Sequence, residues 1–290
     1  MNLAFAHDGP HGPAAVSLST AWTLDPLVAV PLLLAAWLYW KGARSSWQRA
    51  GVGRGVKRGE AAAFAGGMVA LFFALVWPLD VLGEALFSAH MAQHLVLMNL
   101  AAPLLVLGAP LQVMIRALAL PWRRAAARFV QRPAWRGPWR WVSGALLATV
   151  LQQVVLWGWH TPRGVAAALR SDALHIAMHA SLLVAALLFW TAVLRPRSGG
   201  YWVSLAALLA TLKLTGVVCI VLLLQPAALY TAYGDLAAAW GLAPIEDEQL
   251  GWSLMMAAGM LSYLGAAIGL FAQWLRTVER GHLAAVRSSQ

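Results

Sequence analysis

The sequence predicts an all-α integral membrane protein: a bundle of seven transmembrane helices, N-terminus outside (periplasmic) and C-terminus cytoplasmic. Three observations carry that reading. Hydrophobic residues make up 61% of the chain and charged residues 11%, against roughly 45–50% and about 25% in soluble domains. The apolar residues fall in runs of about 20, the length that crosses a bilayer as a helix. Lysine and arginine gather in alternate connections between those runs, which is how orientation is encoded.

Taken in order, the runs are Trp22–Trp40, Ala61–Leu79, Phe87–Leu107, Trp141–Trp159, Ala173–Leu194, Trp202–Gln225 and Leu250–Leu275. Each is expected to be a helix, because a span in lipid must satisfy its own backbone groups. Trp22, Trp40, Trp77, Trp141, Trp157, Trp159, Trp202, Trp252 and Trp274 stand near the ends of the runs, where indole rings meet the interface. Pro31, Pro78 and Pro103 are expected to kink or end their helices. Pro103, Gly108 and Pro110 together predict a break in the third span.

The connections set the topology. The first holds six basic residues (Lys41, Arg44, Arg49, Arg54, Lys57, Arg58) and the third seven, from Arg116 to Arg140. With Arg195, Arg197, Arg276, Arg280 and Arg287 the basic side counts eighteen, against Arg163 and Arg170 on the other. Asp8, Asp25, Asp80, Glu84, Asp172, Asp235, Glu246, Asp247 and Glu248 all fall on the sparse side. The net charge of +10 therefore reads as a topology signal facing membrane lipid, not as a nucleic-acid surface. The third connection, Ala109 to Arg140, is expected to carry a surface helix around Leu118–Val130. Residues 1–290 form a single domain, with an exterior tail over 1–21 and a cytoplasmic tail over 276–290. Met1–Ala6 is too short and too poor in basic residues for a signal peptide, so the tail is read as uncleaved. The lone cysteine, Cys219, excludes an intrachain disulfide framework.

Candidate chemistry lies in the histidines. His90 and His94 are four residues apart at the start of the third run, and His175 and His179 repeat that spacing at the start of the fifth. On a helix, i and i+4 side chains share a face. With the third span entering from outside, His90 lies about 4–5 Å and His94 about 10 Å below its outer end at 1.5 Å per residue. His175 and His179 reach similar depths, and His160 closes the fourth run, so all five meet in the outer leaflet. Imidazole suits copper, zinc and iron, and thioether and thiolate select Cu(I). Met91, Met98, Met178 and Cys219 are auxiliary donors, Asp80 is a partner for ring N–H groups, and His7 and His11 in the tail are further candidates.

Lys213 stands near the middle of the sixth run, where a charge costs roughly 2.5–3.5 kcal/mol or more. Asn99, Gln152 and Gln153 are its expected partners. A Gly-rich phosphate loop, a Ser/His/Asp constellation and a His-Glu-x-x-His motif do not occur in the sequence. The only carboxylates near the histidines, Asp80 and Glu84, lie at the rim. The expectation is therefore a metal- or haem-binding protein with no catalytic residues, and not an enzyme.

Several blocks resemble a known family. Phe87-Ser-Ala-His-Met-Ala-Gln-His-Leu-Val-Leu-Met98, Trp157-Gly-Trp-His160-Thr-Pro162, His175 to His179, and Asp247-Glu-Gln-Leu-Gly251 are similar, in that order, to the CtaG family of cytochrome c oxidase assembly factors. The resemblance covers nearly the whole chain. It implies a seven-span protein of the bacterial inner membrane that serves the copper centre of a haem-copper oxidase, with His90, His94, His160, His175 and His179 as the metal positions. The family more often has an acidic residue where this chain has Met178, which favours a thioether over a carboxylate there. The resulting expectation is a Cu(I)-binding factor that delivers copper to the oxidase catalytic subunit and draws on an exterior copper chaperone. The alternatives are a bis-His haem carrier or electron-transfer protein and a copper transporter.

Overall fold

A computed structural model of the chain describes residues 22–132, 144–196 and 200–288, together with Ala134 and Gly137. His7, His11, Asp8, the tail over 1–21, Arg136, Arg140, Trp141 and Arg197 lie outside the described residues. Among the described residues the secondary structure is helical throughout: α1 (Pro26–Ala50), α2 (Arg58–Leu75), α3 (Leu79–Ala85), α4 (Phe87–Leu107), α5 (Pro110–Ala117), α6 (Leu120–Gln131), α7 (Ala145–Trp159), α8 (Pro162–Leu169), α9 (Asp172–Leu194), α10 (Tyr201–Leu223) and α11 (Pro244–Ser288). Two 3₁₀ turns, Thr231–Tyr233 and Leu236–Trp240, lie between α10 and α11. Six segments are long and apolar enough to cross a membrane: α1, α2 with α3, α4, α9, α10 and α11. The apolar helix α7 is shorter, at 15 residues. The chain is a multi-pass helical membrane protein.

The helices overrun the apolar runs wherever polar residues can leave the lipid and stay helical. The first run ends at Trp40, but α1 continues through Lys41, Arg44 and Arg49 to Ala50; α11 extends from Pro244 to Ser288, through the segment expected as a tail. Pro31 lies inside α1 without ending it. The expected surface helix is present as α6, and it is preceded by α5, which the run pattern does not show. Tight contact explains α5. A Cβ on Gly42 of α1 would come within 2.0 Å of the Val113 carbonyl oxygen, so only glycine lets the two backbones meet. Tyr39 stacks on Phe64 with centroids 3.7 Å apart and donates its hydroxyl to the Gly108 carbonyl at 3.0 Å.

Pro103 does not break the third span. The helix widens to a π turn over Val96–Ala101, and the Ala102 N–H bonds to the Leu97 carbonyl five residues back. The next carbonyl, Met98, would take its π-type bond from residue 103, which as proline has no N–H. The Trp190 indole of α9 supplies that donor at 2.8 Å. The chain turns instead at Gly108 and at Ala109, whose φ of 50° is left-handed. Around this seam the core packs Leu97, Leu156, Leu182, Phe189, Trp190 and Leu208. Trp252 is a second correction: it is fully buried against Phe87 and Tyr230, not at an interface.

Candidate metal centre

Three elements bring the histidines together. His90 and His94 are on the first two turns of α4, His175 and His179 on the first two turns of α9, and His160 is the residue that ends α7. Ser171 starts α9 by accepting the Leu174 N–H, with Asp172 in the first turn where the helix dipole favours an acid. His90, His94, His160 and His179 are buried and His175 is half-buried. Ring centroids lie 4.4 Å apart for His90–His94 and His175–His179, 5.6 Å for His90–His175, 5.2 Å for His94–His179 and 4.9 Å for His94–His160.

The five rings divide by chemistry. His90, His175 and His179 each place a ring nitrogen within 4.8 Å of the other two, close enough to hold one ion between them. His94 and His160 hydrogen-bond each other, Nδ1 to Nε2, at 3.1 Å. The direction of that bond follows from its neighbour. His160 Nδ1 lies 2.6 Å from the Leu156 carbonyl, which only accepts, so Nδ1 carries the proton. A neutral His160 then presents a bare Nε2, which accepts the proton on His94 Nδ1, and the lone pair of His94 falls on Nε2. That atom, both nitrogens of His90, and Nε2 of His175 and of His179 are buried and make no hydrogen bond to the described residues. Buried polar atoms without a partner cost about 1–3 kcal/mol each, and four of these five belong to His90, His175 and His179, the three residues whose ring nitrogens converge.

The scaffold of the cluster comes from residues far away in the chain. Asp247, near the start of α11, accepts the backbone N–H groups of Phe87 at 2.7 Å and Ser88 at 3.1 Å, capping the helix that carries His90 and His94. Glu248 beside it accepts the N–H groups of Leu229 and Tyr230 at 2.9 and 2.7 Å, and Tyr230 donates its hydroxyl to the His160 carbonyl. Tyr233 donates to the Gly83 carbonyl at 3.1 Å. Burial, and then the Glu248 carboxylate, push the Tyr230 hydroxyl above its ordinary range. Tyr233 is pushed the same way by burial, then by Asp247. Both phenols therefore stay protonated and act as donors. Gly251 allows the close approach: a Cβ there would lie 2.8 Å from the Phe87 ring and 3.0 Å from Met91 Cγ.

Asp80 does not orient an imidazole directly. Its carboxylate accepts from Gln93 Nε2 at 2.8 Å, and the same amide bonds the Ala74 carbonyl, tying α4 to α2 and α3. Neither Asp80 nor Cys219 joins the group of converging ligand atoms, and Cys219 is buried on α10. Met91 packs toward Gly251, Met98 lies in the π turn, and Met178 is fully buried beside His179. Lys213 is exposed on the outer face of α10. None of its expected partners bonds it: Gln152 donates to the Tyr263 hydroxyl and Gln153 accepts from Trp157, while the Asn99 side-chain oxygen makes no hydrogen bond to the described residues. The residues that the spacing argument missed are Gln93, Tyr230, Tyr233, Asp247 and Glu248. The available signal was two adjacent acids, Asp247-Glu248, at the mouth of an apolar run, where a solvated rim needs neither.

Fold and cluster together define a class: a multi-pass helical membrane protein with an imidazole centre buried at one end of the bundle. Residues 37–277 match the family described as cytochrome c oxidase caa3 assembly factor (Caa3_CtaG), and the chain belongs to that family. It is similar to an uncharacterized protein of Mycobacterium leprae, 28% identical over 315 residues, with the whole of this chain and 44% of that protein covered. The chain thus spans less than half the length of the curated relative it matches. No solved structure matches it.

Proposed function

We propose that the protein binds Cu(I) between His90, His175 and His179 and hands it to the copper centre of a haem-copper oxidase, with the oxidase catalytic subunit as acceptor and an exterior copper chaperone as donor. Copper is cargo here, and the chemistry is ligand exchange with no bond made or broken in a substrate. One observation carries the reading: three imidazoles from two helices place ring nitrogens within 4.8 Å of one another, and at least one nitrogen on each is uncommitted. Two or three imidazoles suit copper, and a low coordination number leaves room for an incoming ligand. Haem is less well supported. A bis-His haem takes two imidazoles on opposite faces of a macrocycle, whereas here three rings bring their nitrogens together in one group. The carboxylates that could serve a hydrolytic metal are committed to Gln93 and to backbone N–H groups, which favours binding over catalysis.

The same reading gives α7 as the fourth of seven spans and sets the histidine end outside, in the bacterial inner membrane. Arg116 and Arg195, which bond the carbonyls of Gly55 and Val106 at the far end of the bundle, belong to the basic, cytoplasmic side. Titrating detergent-purified protein with Cu(I) against a chromophoric chelator tests the function. The expected result is one Cu(I) per chain, lost in His90→Ala and in His179→Ala. Stoichiometric binding that survives both substitutions overturns the site, and a Soret band in the purified protein replaces copper by haem.

A further inference from the structure

Lys213 sits twelve residues from the start and ten from the end of α10. At 1.5 Å per residue it is about 18 Å from Tyr201, close to the middle of a hydrocarbon layer about 30 Å thick. From mid-depth neither interface is within easy reach of a lysine stem, so snorkelling does not resolve the charge. Its side chain is exposed, on a stripe formed by Leu209, Val217, Ile220 and Leu224, at positions four before and four, seven and eleven after it. That spacing keeps the stripe on one side of the helix. The other side of α10, with Ala207, Leu208, Thr211, Thr215 and Cys219, is buried within the bundle. Gly216, next to Lys213 on this surface, has open space where a Cβ would be.

A cation on a lipid-facing stripe is costly in lipid alone, and among the described residues no carboxylate pairs with Lys213. Asp80, Asp247 and Glu248 are spent at the histidine end on Gln93 and on backbone N–H groups. A second copy does not supply one either, because a two-fold contact through this stripe sets Lys213 against Lys213. We propose that the stripe is the docking face for a transmembrane helix of a different protein, one that carries an Asp or Glu near mid-depth. The exposed apolar side chains give the contact area, and the buried ion pair gives selectivity for the partner and for its register.

A photo-crosslinking amino acid at Val217, in the full chain in the membranes of its own cell, tests this. The expected adduct is a single protein whose crosslinked peptide maps to a membrane helix containing Asp or Glu. The adduct should fall about tenfold or more in Lys213→Met, as expected when one member of a buried pair is truncated. It should persist in Lys213→Arg and return in Lys213→Glu when the partner's acid is changed to Lys. Thermal unfolding of purified Lys213→Met, unchanged from wild type, shows that the fold is intact. Crosslinks to lipid alone, to a second copy or to a helix without a carboxylate, or an adduct undiminished in Lys213→Met, overturn the proposal. The copper reading is independent of this result.

Discussion

Helices α4 and α10 are both apolar spans with misplaced polar groups, and they resolve them in opposite ways. In the apolar window of α4, 61% of residues are buried inside the protein; in that of α10, 28% are. His90, His94 and Gln93 point inward on α4, where Gln93 meets Asp80 and His94 meets His160, and Asp247 caps the helix at Phe87 and Ser88. Lys213 points outward on α10 to no such company. Gln93 and His94 on the buried face of α4 find partners within the chain, whereas Lys213 on the exposed face of α10 asks for one outside it. The first case can be taken apart one hydrogen bond at a time.

Removing the acid that caps α4 tests the comparison most severely. In Asp247→Ala the buried N–H groups of Phe87 and Ser88 both lose their acceptor, at about 1–3 kcal/mol each. We expect a loss of about 3 kcal/mol in unfolding free energy, read as a lowered midpoint in detergent, together with loss of Cu(I) binding. Asp247→Asn keeps an acceptor and should lose less. An unchanged midpoint in Asp247→Ala would mean that α4 holds its position without α11.

How much of this was legible beforehand follows from range and direction. The i, i+4 histidine pairs and the ends of the bundle they occupy are local properties, readable from spacing and apolar runs, and so the helical membrane fold and the family were readable too. The grip of Asp247 on Phe87 and Ser88 spans 160 and 159 residues, and no periodicity encodes it. The π turn depends on Trp190 meeting Met98, again from another helix. Lys213 was visible as an anomaly, but its direction was not, since α10 is apolar on all sides and carries no stripe that marks an inner face. Asn99, Gln152 and Gln153 were therefore plausible partners by depth, and azimuth rules them out.

The next effect in size separates ligand from support within the cluster. His160 donates to the Leu156 carbonyl and accepts from His94, an arrangement that fixes which nitrogen of His94 is bare. The His94–His160 pair stands behind the ligands His90 and His179, against which the His94 ring rests, and supports of this kind typically change metal affinity by about 10–100-fold when removed. His160→Phe should weaken Cu(I) binding by about that factor while leaving the stoichiometry at one per chain. Loss of stoichiometric binding would instead make His160 a ligand, and unchanged affinity would mean that the His94–His160 pair does not support the site.

The smallest effect concerns the loop above the cluster. Tyr230 hands its hydroxyl proton to the His160 carbonyl, a neutral hydrogen bond worth about 1 kcal/mol, so Tyr230→Phe should lower the unfolding midpoint slightly at neutral pH. The pH dependence gives this prediction its sign. Burial first, and then the carboxylate of Glu248, raise the Tyr230 pKa above the ordinary 10.0. The protonated form is thus favoured more in the folded than in the unfolded chain. Its contribution is fully present below the ordinary phenol pKa and is lost as pH rises past it, because the unfolded chain releases the proton first. The difference between wild type and Tyr230→Phe should therefore hold constant up to about pH 9 and shrink above about pH 10. A difference that grows with alkalinity would mean that the phenolate, not the phenol, is what the fold favours, and that Glu248 is not the group beside it.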